Sequence, residues 1–451
     1  MRYGSTNERT KAPQQIRERE AQAILTALEA GVVPQIGVQH LLVGRQKEVE
    51  EIIRVLDRVA GGASDFRLWV GDFGSGKSFI LRTIEQLALQ KGFVCATVDL
   101  TPARRFQASD GKGVALYAEI LRQIHTRAAA PGQAMSSILE RWLREECEKM
   151  GFSVWDGDED DAQLMQAERH IFDRIGALRS AGLAYELAQC IVCFFRGAVR
   201  GDGMLRLQAL RWLGGQIPTK AEARRTLGIG QIVTDDNWTT LLFNLCELFR
   251  CMGYRGFVVQ FDEVVNLYKL PRTQTREQNY ERILNLYNEC KGGAVEGLFL
   301  NLGATRKTVF DERRGMCSYG ALKGRFGVPS QALDEWTDAQ ATVQQLRPLT
   351  DEEIFTLLEK IQDVFCTVHR NTALFTEKHI AMYMEAQLNR PGASEFLTPR
   401  AVIKDFLQLL SLMNQHPDIP PEEWLARRFG QLGVWERDQE DHDDDFDIEI
   451  Y

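Results

Sequence analysis

The chain has 451 residues, 44% of them hydrophobic, which is enough for two or three domains with buried cores. No segment approaches the roughly 18 apolar residues of a membrane-spanning helix, and the polar N-terminal segment lacks the apolar core of a signal peptide. Nine cysteines, an odd number, are typical of a reducing compartment rather than of a disulfide framework. We therefore expect a cytoplasmic protein that is neither secreted nor embedded in a membrane.

The net charge of −9 is concentrated at the C-terminal end. Residues 436–451 contain nine acidic residues and one arginine, a net charge of −8, so the rest of the chain is close to −1. A nearly neutral body can carry a basic face, and the total charge therefore does not exclude a nucleic-acid partner. We predict that residues 431–451 form a disordered acidic tail, with docking or self-masking as the alternative role.

The hydrophobic pattern in chain order predicts an α/β protein. Helical periodicity at Ile16–Leu28 and Gln46–Val59 flanks a short segment, His40–Val43, that is predicted to be extended. Five apolar segments follow, separated by helical patterns, and they predict a parallel sheet covered by helices. The predicted strands are Phe66–Val70, Phe93–Asp99, Phe257–Phe261, Gly297–Gly303 and Thr342–Leu346.

A long, mainly helical segment separates the second predicted strand from the third. Its periodicity predicts helices over Val114–Ala130, Met135–Met150, Leu164–Arg196 and Leu205–Trp212. We interpret this segment as a helical insertion that projects from the core. The predicted domains are an N-terminal helical segment (1–40), a core (41–105 and 235–347), the insertion (106–234) and a C-terminal helical lid (348–430).

The segment Gly71–Ser78 matches the phosphate-binding pattern G-x-x-x-x-G-K-[ST] in full. An apolar strand precedes it and a periodic helix from Phe79 follows it, as such a loop requires. Glycines let backbone N–H groups turn toward phosphate oxygens, and the helix N-terminus adds partial positive charge. We expect Lys77 to contact the β- and γ-phosphates and Ser78 to bind Mg²⁺. The nucleotide-contacting residues are predicted to be Gly71, Asp72, Phe73, Gly74, Ser75, Gly76, Lys77, Ser78 and Phe79.

Two carboxylates, Asp262 and Glu263, end the third predicted strand. The carboxyl ends of parallel strands border the ligand crevice of an open α/β sheet. Asp262 is predicted to hold Mg²⁺ through water, and Glu263 to polarise the attacking water as a general base. The alternative is that both residues only cap the next helix, but the phosphate loop requires a strand of this kind.

Polar residues in two further segments are candidates for contact with the nucleotide. Thr305 or Asn301 is predicted to sense the γ-phosphate if the fourth strand lies between the other two site strands, and an ordinary exit from the strand is the alternative. Thr398 and Pro399 are typical of a helix start. Arg400 has the wrong charge for that helix terminus, so we expect it to bind a nucleotide phosphate. Thr350 and Glu353 predict a capping box at the start of another helix.

The order of these motifs resembles that of the AAA+ ATPases, which belong to the ASCE class of P-loop proteins. Val43, Gly44 and Arg45, followed by Glu48, are similar to the pre-loop motif of the origin-recognition and STAND branches, whose Val-Gly backbone lies against adenine. The sequence also resembles the ATP-binding proteins of bacteriophage-exclusion (BREX) systems, the BrxC/BrxD type, and BrxD in particular. This narrower resemblance is carried by Ala30–Pro34 with Leu42–Arg45, Arg211–Gly215, Lys220–Arg224, Tyr319–Phe326 and Thr398–Arg400.

The resemblance implies that ATP and Mg²⁺ are cofactors and that the chain acts in bacterial anti-phage defence. The partners it implies are DNA, other defence proteins such as a helicase, and further copies of the chain. Thr305 matches the polar sensor of the family and Arg400 its lid arginine. Arg325 lies near the usual position of a subunit-bridging arginine, with Arg313 and Arg314 as competitors. The long segment between the two nucleotide motifs departs from a minimal AAA+ module.

The stretch Phe195–Gln231 is basic, and within it Ile217–Gly228 faintly resembles part of a helix-turn-helix. The stretch contains seven cationic and two acidic residues, a composition that fits contact with DNA phosphates, a solvated surface or a binding site for an acidic partner. Our leading hypothesis is an ATPase that remodels or loads onto DNA. The alternatives are a STAND-like nucleotide switch that acts without DNA and a scaffold that does not hydrolyse ATP. The seven cations are Arg196, Arg200, Arg206, Arg211, Lys220, Arg224 and Arg225.

Overall fold

The chain divides into two compact units in the computed structural model. The first unit, which we call the sheet unit, runs over Gly44–Pro348. The second, the helical unit, combines the described parts of Met1–Val43 and Leu349–Tyr451. The predicted acidic tail lies outside the described residues. The structure describes residues 16–108, 110–152, 161–178, 183–326, 338–390 and 398–430.

The sheet unit is built on five parallel strands in the order β2-β3-β4-β1-β5. The α/β class and all five predicted strands are confirmed, with small shifts at their ends. Strand β4 lies between β1 and β3, the arrangement on which the sensor prediction depends. The strands are β1 (Asp65–Val70), β2 (Val94–Asp99), β3 (Phe257–Asp262), β4 (Leu298–Ala304) and β5 (Val343–Gln345).

Both faces of the sheet are covered, as expected for parallel strands with continuous apolar sequences. On one face, Trp69 and Val258 pack against the helices α2 (Gln46–Ala60) and α3 (Lys77–Gln90). On the other face, Leu68 and Val259 belong to a larger core that includes the helices between β2 and β3. The helical segment therefore shares one continuous hydrophobic core with the sheet. The predicted boundaries of an insertion stay a prediction.

The helices between β2 and β3 differ in detail from the predicted ones. The first ends at Gln123 rather than Ala130, because the chain turns there and His125 pairs with Cys95 on β2. The predicted single helix Leu164–Arg196 is two helices. The observed helices are α4 (Lys112–Gln123), α5 (Ala134–Lys149), α6 (Asp161–Gly176), α7 (Ala184–Val199), α8 (Gly203–Leu213), α9 (Lys220–Leu227) and α10 (Trp238–Cys251).

Short helices follow β3 and β4 and border the candidate site. Among the helices of the part of the chain that the structure describes, none is long and apolar enough to cross a membrane. The remaining helices of the sheet unit are α11 (Val265–Tyr268), α12 (Thr273–Gly292), α13 (Arg306–Phe310) and α14 (Gly320–Phe326), with a 3₁₀ turn at Met316–Ser318.

In the helical unit, the N-terminal helix packs against two of the C-terminal helices. The capping box of Thr350 and Glu353 and the N-cap of Thr398 are confirmed. The predicted extended segment His40–Val43 is wrong, because Val38–Leu41 forms a 3₁₀ helix. Gly37 allows this tight turn with φ +82°, and a Cβ there would lie 2.5 Å from Ile24 Cδ1. The helices are α1 (Glu18–Glu29), α15 (Asp351–His369), α16 (Glu377–Leu388), α17 (Pro399–Gln415) and α18 (Pro421–Phe429).

Candidate nucleotide-binding site

The phosphate-loop segment connects β1 to α3 in a tightly packed turn. A Cβ at Gly71 would lie 2.2 Å from Ser75 Oγ and 3.0 Å from Leu346 O, so only glycine fits there. Ser75 Oγ is buried and has no hydrogen-bond partner among the described residues. Phe73, by contrast, exposes 74% of its surface at the tip. The loop therefore has a rigid base and an open crest, as a cradle for phosphates requires.

Lys77 is held by neutral groups at the start of α3. Its Nζ donates to the carbonyls of Gly71 (2.8 Å) and Asp72 (2.7 Å), and it lies 5.6 Å from the centroid of the Phe73 ring. Burial lowers the pKa of Lys77, while the nearby charges of Asp262, Asp72 and Glu263 oppose that shift. No carboxylate within the described residues forms an ion pair with this ammonium, so its charge is available to an anionic ligand.

Ser78 and Asp262 meet at the carboxyl edge of the sheet. The Ser78 hydroxyl donates to Asp262 Oδ2 at 2.6 Å, across 184 positions of sequence. A hydroxyl and a carboxylate are the hard oxygen ligands that Mg²⁺ prefers, and protein sites for Mg²⁺ commonly use one or two such groups. The residues present therefore fit the predicted metal.

Glu263 has an unusual backbone conformation. Its φ is +54°, a left-handed value that costs a non-glycine residue roughly 1–3 kcal/mol. Its N–H donates to Asp262 Oδ1 at 2.8 Å, which fixes the turn. The carboxylate is exposed and makes no hydrogen bond or ion pair with the described residues. The strained turn thus directs a carboxylate away from the protein at the edge where Lys77 and Ser78 lie.

Asp99 is a carboxylate that the sequence analysis did not assign to the site. It ends β2 in register with Asp262 on β3. Two positions earlier on β3, Gln260 donates to Thr97 Oγ1 (3.0 Å) on β2 and to Leu81 O (2.9 Å) on α3. Side chains two positions apart share a face of a strand, so Asp99 and Asp262 lie on the face of the sheet that α3 covers. Burial and the charge of Asp262 raise the pKa of Asp99. The strand order is the signal that would have identified it.

A buried polar cluster lies beneath these carboxylates, between α3 and β2. Glu85 contacts His125 Nε2 at 3.4 Å and also accepts hydrogen bonds from Arg82 and Thr97. Burial alone would raise the pKa of Glu85, but these partners lower it to about 2. The pKa of His125 is raised, because its bonds with Glu85 and the Gln123 carbonyl outweigh burial.

Arg45 is buried and supports the phosphate loop from behind. Only 3% of its surface is exposed, and its Nη2 donates to Ser75 O (3.0 Å) and to Arg347 O (2.5 Å). Its Nη1 lies 3.3 Å from Glu48 Oε1. One guanidinium therefore joins the loop backbone to the chain that follows β5. In this structure the side chain stabilises the loop, and a contact between residues 43–45 and adenine stays a prediction.

The two sensor candidates differ in position. Asn301 is fully buried within β4 and accepts a hydrogen bond from Trp69 Nε1 at 3.0 Å. Thr305 follows the end of β4, beside Gly71, whose N–H donates to Ala304 O. It caps α13 through its hydroxyl. The geometry therefore favours Thr305 as the residue at the edge of the phosphate loop.

The three candidate subunit-bridging arginines have different surroundings. Arg325 donates to Asn288 Oδ1 (3.0 Å) and Ala321 O. Arg314 donates to Tyr268 O and Leu270 O, both at 3.2 Å, and so ties down the segment that follows Glu263. The exposed Arg313 side chain makes no hydrogen bond or ion pair to the described residues. The sequence analysis did not predict these hydrogen bonds of Arg314.

Arg400 belongs to the helical unit, in the first turn of α17. Its side chain lies along Gly31, where Cδ is 3.7 Å from the position of a Cβ. Two stretches that carried the resemblance, Ala30–Pro34 and Thr398–Arg400, are therefore neighbours within this unit. A contact between Arg400 and a nucleotide phosphate stays a prediction.

The basic stretch divides into two groups. Four of its arginines form ion pairs with acidic side chains, whereas the three cations of α9 are exposed and form none with the described residues. The sequence showed the excess of cations but not their pairing, because three of the four acidic partners lie outside the stretch.

Comparison with known proteins gives one family. The model of the family "BREX system ATP-binding protein BrxC/D" matches residues 16–428, which is nearly all of the described chain. No curated protein matches the sequence. The match does not distinguish BrxD from BrxC, and it supports ATP as the ligand and phage defence as the setting. The chain belongs to the BrxC/BrxD family of BREX system ATP-binding proteins.

Proposed function

We propose that the chain is an AAA+-type ATPase of the ASCE class that hydrolyses ATP with Mg²⁺. The observation that carries this proposal is the meeting of Lys77, Ser78, Asp262 and Glu263 at the carboxyl edge of one parallel sheet. The position of β4 between β1 and β3 supports it as well. In this proposal, residues 348–430 form the lid and Arg400 is its phosphate-binding arginine.

Each residue of the site has a distinct role in the proposal. The loop N–H groups and Lys77 would bind the phosphates, and Ser78 and Asp262 would hold Mg²⁺. The metal would neutralise charge that develops on the phosphates. Glu263 would accept a proton from the attacking water, and its strained turn keeps the carboxylate away from internal partners. Thr305 would contact the γ-phosphate.

The proposal is tested by the rate of ATP hydrolysis in Lys77→Ala. Lys91→Ala, at the other end of α3 and paired with Asp57, is the matched control. We expect Lys77→Ala to lose turnover and Lys91→Ala to retain the parental rate. Parental turnover in Lys77→Ala, with the same Mg²⁺ dependence, would show that the site is misassigned.

We propose further that the ATPase binds DNA and remodels it, or a complex on it, in concert with other defence proteins. The three exposed cations of α9 favour this over a switch that acts without DNA. Titration of labelled duplex DNA with the full chain, with a non-hydrolysed ATP analogue and at several salt concentrations, separates the two. Salt-sensitive binding supports the DNA role, and its absence supports the switch.

Self-assembly is the last part of the proposal. An arginine from a neighbouring copy would complete the site, and Arg313 suits that role because Arg314 and Arg325 are bound within their own chain. Light scattering with the ATP analogue tests assembly. A monomer that hydrolyses ATP at the full rate would exclude a contribution from a second copy.

A further inference from the structure

The seven cations of Phe195–Gln231 differ in whether an acidic side chain neutralises them. Arg196 lies 2.7 Å from Glu168, Arg200 lies 3.2 Å from Asp161, Arg211 lies 3.1 Å from Glu222, and Arg206 pairs with Glu140. The remaining three form no ion pair within the described residues. They are Lys220, Arg224 and Arg225, all exposed and all on α9.

Helix α9 presents its cations on one face. Ala223 and Leu227 are buried against the unit, whereas Lys220, Arg224 and Arg225 point to solvent. The other exposed positions of the helix and its C-cap are Ala221 and Gly228, both too small to cover the cations.

The acidic residue of α9 does not cancel this charge. Glu222 is directed to Arg211 on α8 and is neutralised there. The helix is held firmly, because Thr219 caps its start and Gly228, with φ +71°, ends it. Gln189 on α7 anchors its last turn by donating to Leu227 O at 3.2 Å. These contacts hold the helix backbone, and with it the places on the surface from which the three cations extend.

We propose that this face of α9 binds the sugar–phosphate backbone of duplex DNA. The proposal rests on the DNA role proposed above and names its site. Lys220 and Arg224 are four positions apart and therefore neighbours on the helix, and Arg225 widens the array. Two of the three are arginines, whose guanidinium groups match phosphate geometry. The small residues between them let a strand approach closely.

The connection that precedes α9 favours contact with the backbone over contact with bases. The connection from α8 to α9, residues 214–219, has six residues, whereas helix-turn-helix motifs that place a helix in the major groove use three or four. Binding at this face should therefore be independent of sequence.

The test compares two double variants of the full chain that lose equal charge. The first is Arg224→Gln with Arg225→Gln, at exposed positions that contribute little to folding. The second, the control, is Arg196→Gln with Arg200→Gln, whose guanidinium groups are already paired. Both are titrated with a labelled duplex of mixed sequence over a series of salt concentrations, and ATP hydrolysis without DNA verifies that each is folded.

The slope of log K against log [salt] is negative, and we expect its magnitude to decrease by about 2 in the α9 variant. The reason is that each of the two lost phosphate contacts removes about 0.9 from that magnitude. The control should keep the parental slope. A parental slope in the α9 variant, with the parental chain still binding DNA, would overturn the α9 assignment alone. No binding by the parental chain would overturn the DNA role and α9 together.

An acidic protein segment is the other ligand that three cations could take, and residues 436–451 of this chain are one example. Polyglutamate serves as the probe. If it binds as tightly as the duplex, and the α9 variant loses both equally, the face belongs to an acidic protein and the DNA assignment is wrong. Duplex binding that exceeds polyglutamate binding at equal charge supports the proposal.

Discussion

The two ends of β1 use charged residues in opposite ways. At the amino end, Arg67 is 2% exposed and lies 3.2 Å from Asp65 and 3.1 Å from Glu51, and Lys291 also pairs with Asp65. At the carboxyl end, Lys77 contacts only carbonyls and an aromatic ring. The paired charges around Arg67 stabilise the sheet unit, whereas the charge of Lys77, which contacts only neutral groups, is available to a ligand.

The largest effect is expected on stability, at the amino end of β1, where the charges form ion pairs. Arg67→Met leaves Asp65 and Glu51 buried without this partner, and removal of one member of a buried ion pair typically costs about 3–5 kcal/mol. Urea titration of the full chain should show that loss in the free energy of unfolding. Arg54→Ala is the control, because Arg54 also contacts Glu51 but is 65% exposed, and its loss should cost less than about 1 kcal/mol. Equal losses would contradict the contrast.

At the carboxyl end of β1, where the candidate nucleotide site lies, a substitution should slow ATP hydrolysis and leave stability unchanged. We expect Asp262→Asn to reduce ATP hydrolysis by about a hundredfold, about 2.7 kcal/mol in activation free energy, because one carboxylate oxygen for Mg²⁺ is lost. Its unfolding curve should match the parental one. Asp99→Asn, in register with Asp262 but without the Ser78 contact, should lose less than about tenfold. If Asp99→Asn proved the more damaging change, Asp99 would be the main metal-side carboxylate.

A smaller effect, on ATP affinity, is expected from Arg45, which supports the phosphate loop at the carboxyl end of β1. Arg45→Lys replaces a fork that reaches Ser75 O and Arg347 O with a single ammonium, so the loop loses one of its supports. We expect ATP affinity, measured with a fluorescent analogue, to fall about tenfold, about 1.4 kcal/mol. Lys47→Ala, an exposed neighbour on α2, should leave affinity unchanged. Unchanged affinity in Arg45→Lys would assign Arg45 to folding alone.

The smallest effect concerns the pair His125–Glu85 and depends on pH. Because the pKa of His125 is raised above 6.5, its stabilising contribution is complete below pH 6.5 and is lost as the pH rises through the folded-state value. Glu85, with a pKa of about 2, stays ionised throughout this window. We expect His125→Gln to lower stability by about 1 kcal/mol near pH 6 and by less near pH 9. A deficit that grows with pH would have the wrong sign.

The sequence predicted what depends on local pattern. The strands followed from apolar segments, and the phosphate loop from residues adjacent in sequence. The position of the fourth strand between the other two site strands was only a condition of the sensor prediction, and the structure meets that condition.

What the sequence did not show depends on distant residues. Glu51, Arg67 and Lys291 form one charge cluster, yet nothing local links them. Asp99 is a site candidate only because β2 lies beside β3. The four paired arginines could not be separated from the three exposed cations of α9, because three of the four acidic partners lie on α5 and α6, outside the basic stretch.

The central claim is that the open carboxylate Glu263 serves chemistry and not binding. Its most direct test is Glu263→Gln, measured for ATP affinity and for hydrolysis in a single turnover. We predict affinity within about threefold of the parental value and hydrolysis slower by at least about a hundredfold, so that bound ATP is trapped. Parental hydrolysis, or a loss of ATP binding as large as the loss of hydrolysis, would contradict the account.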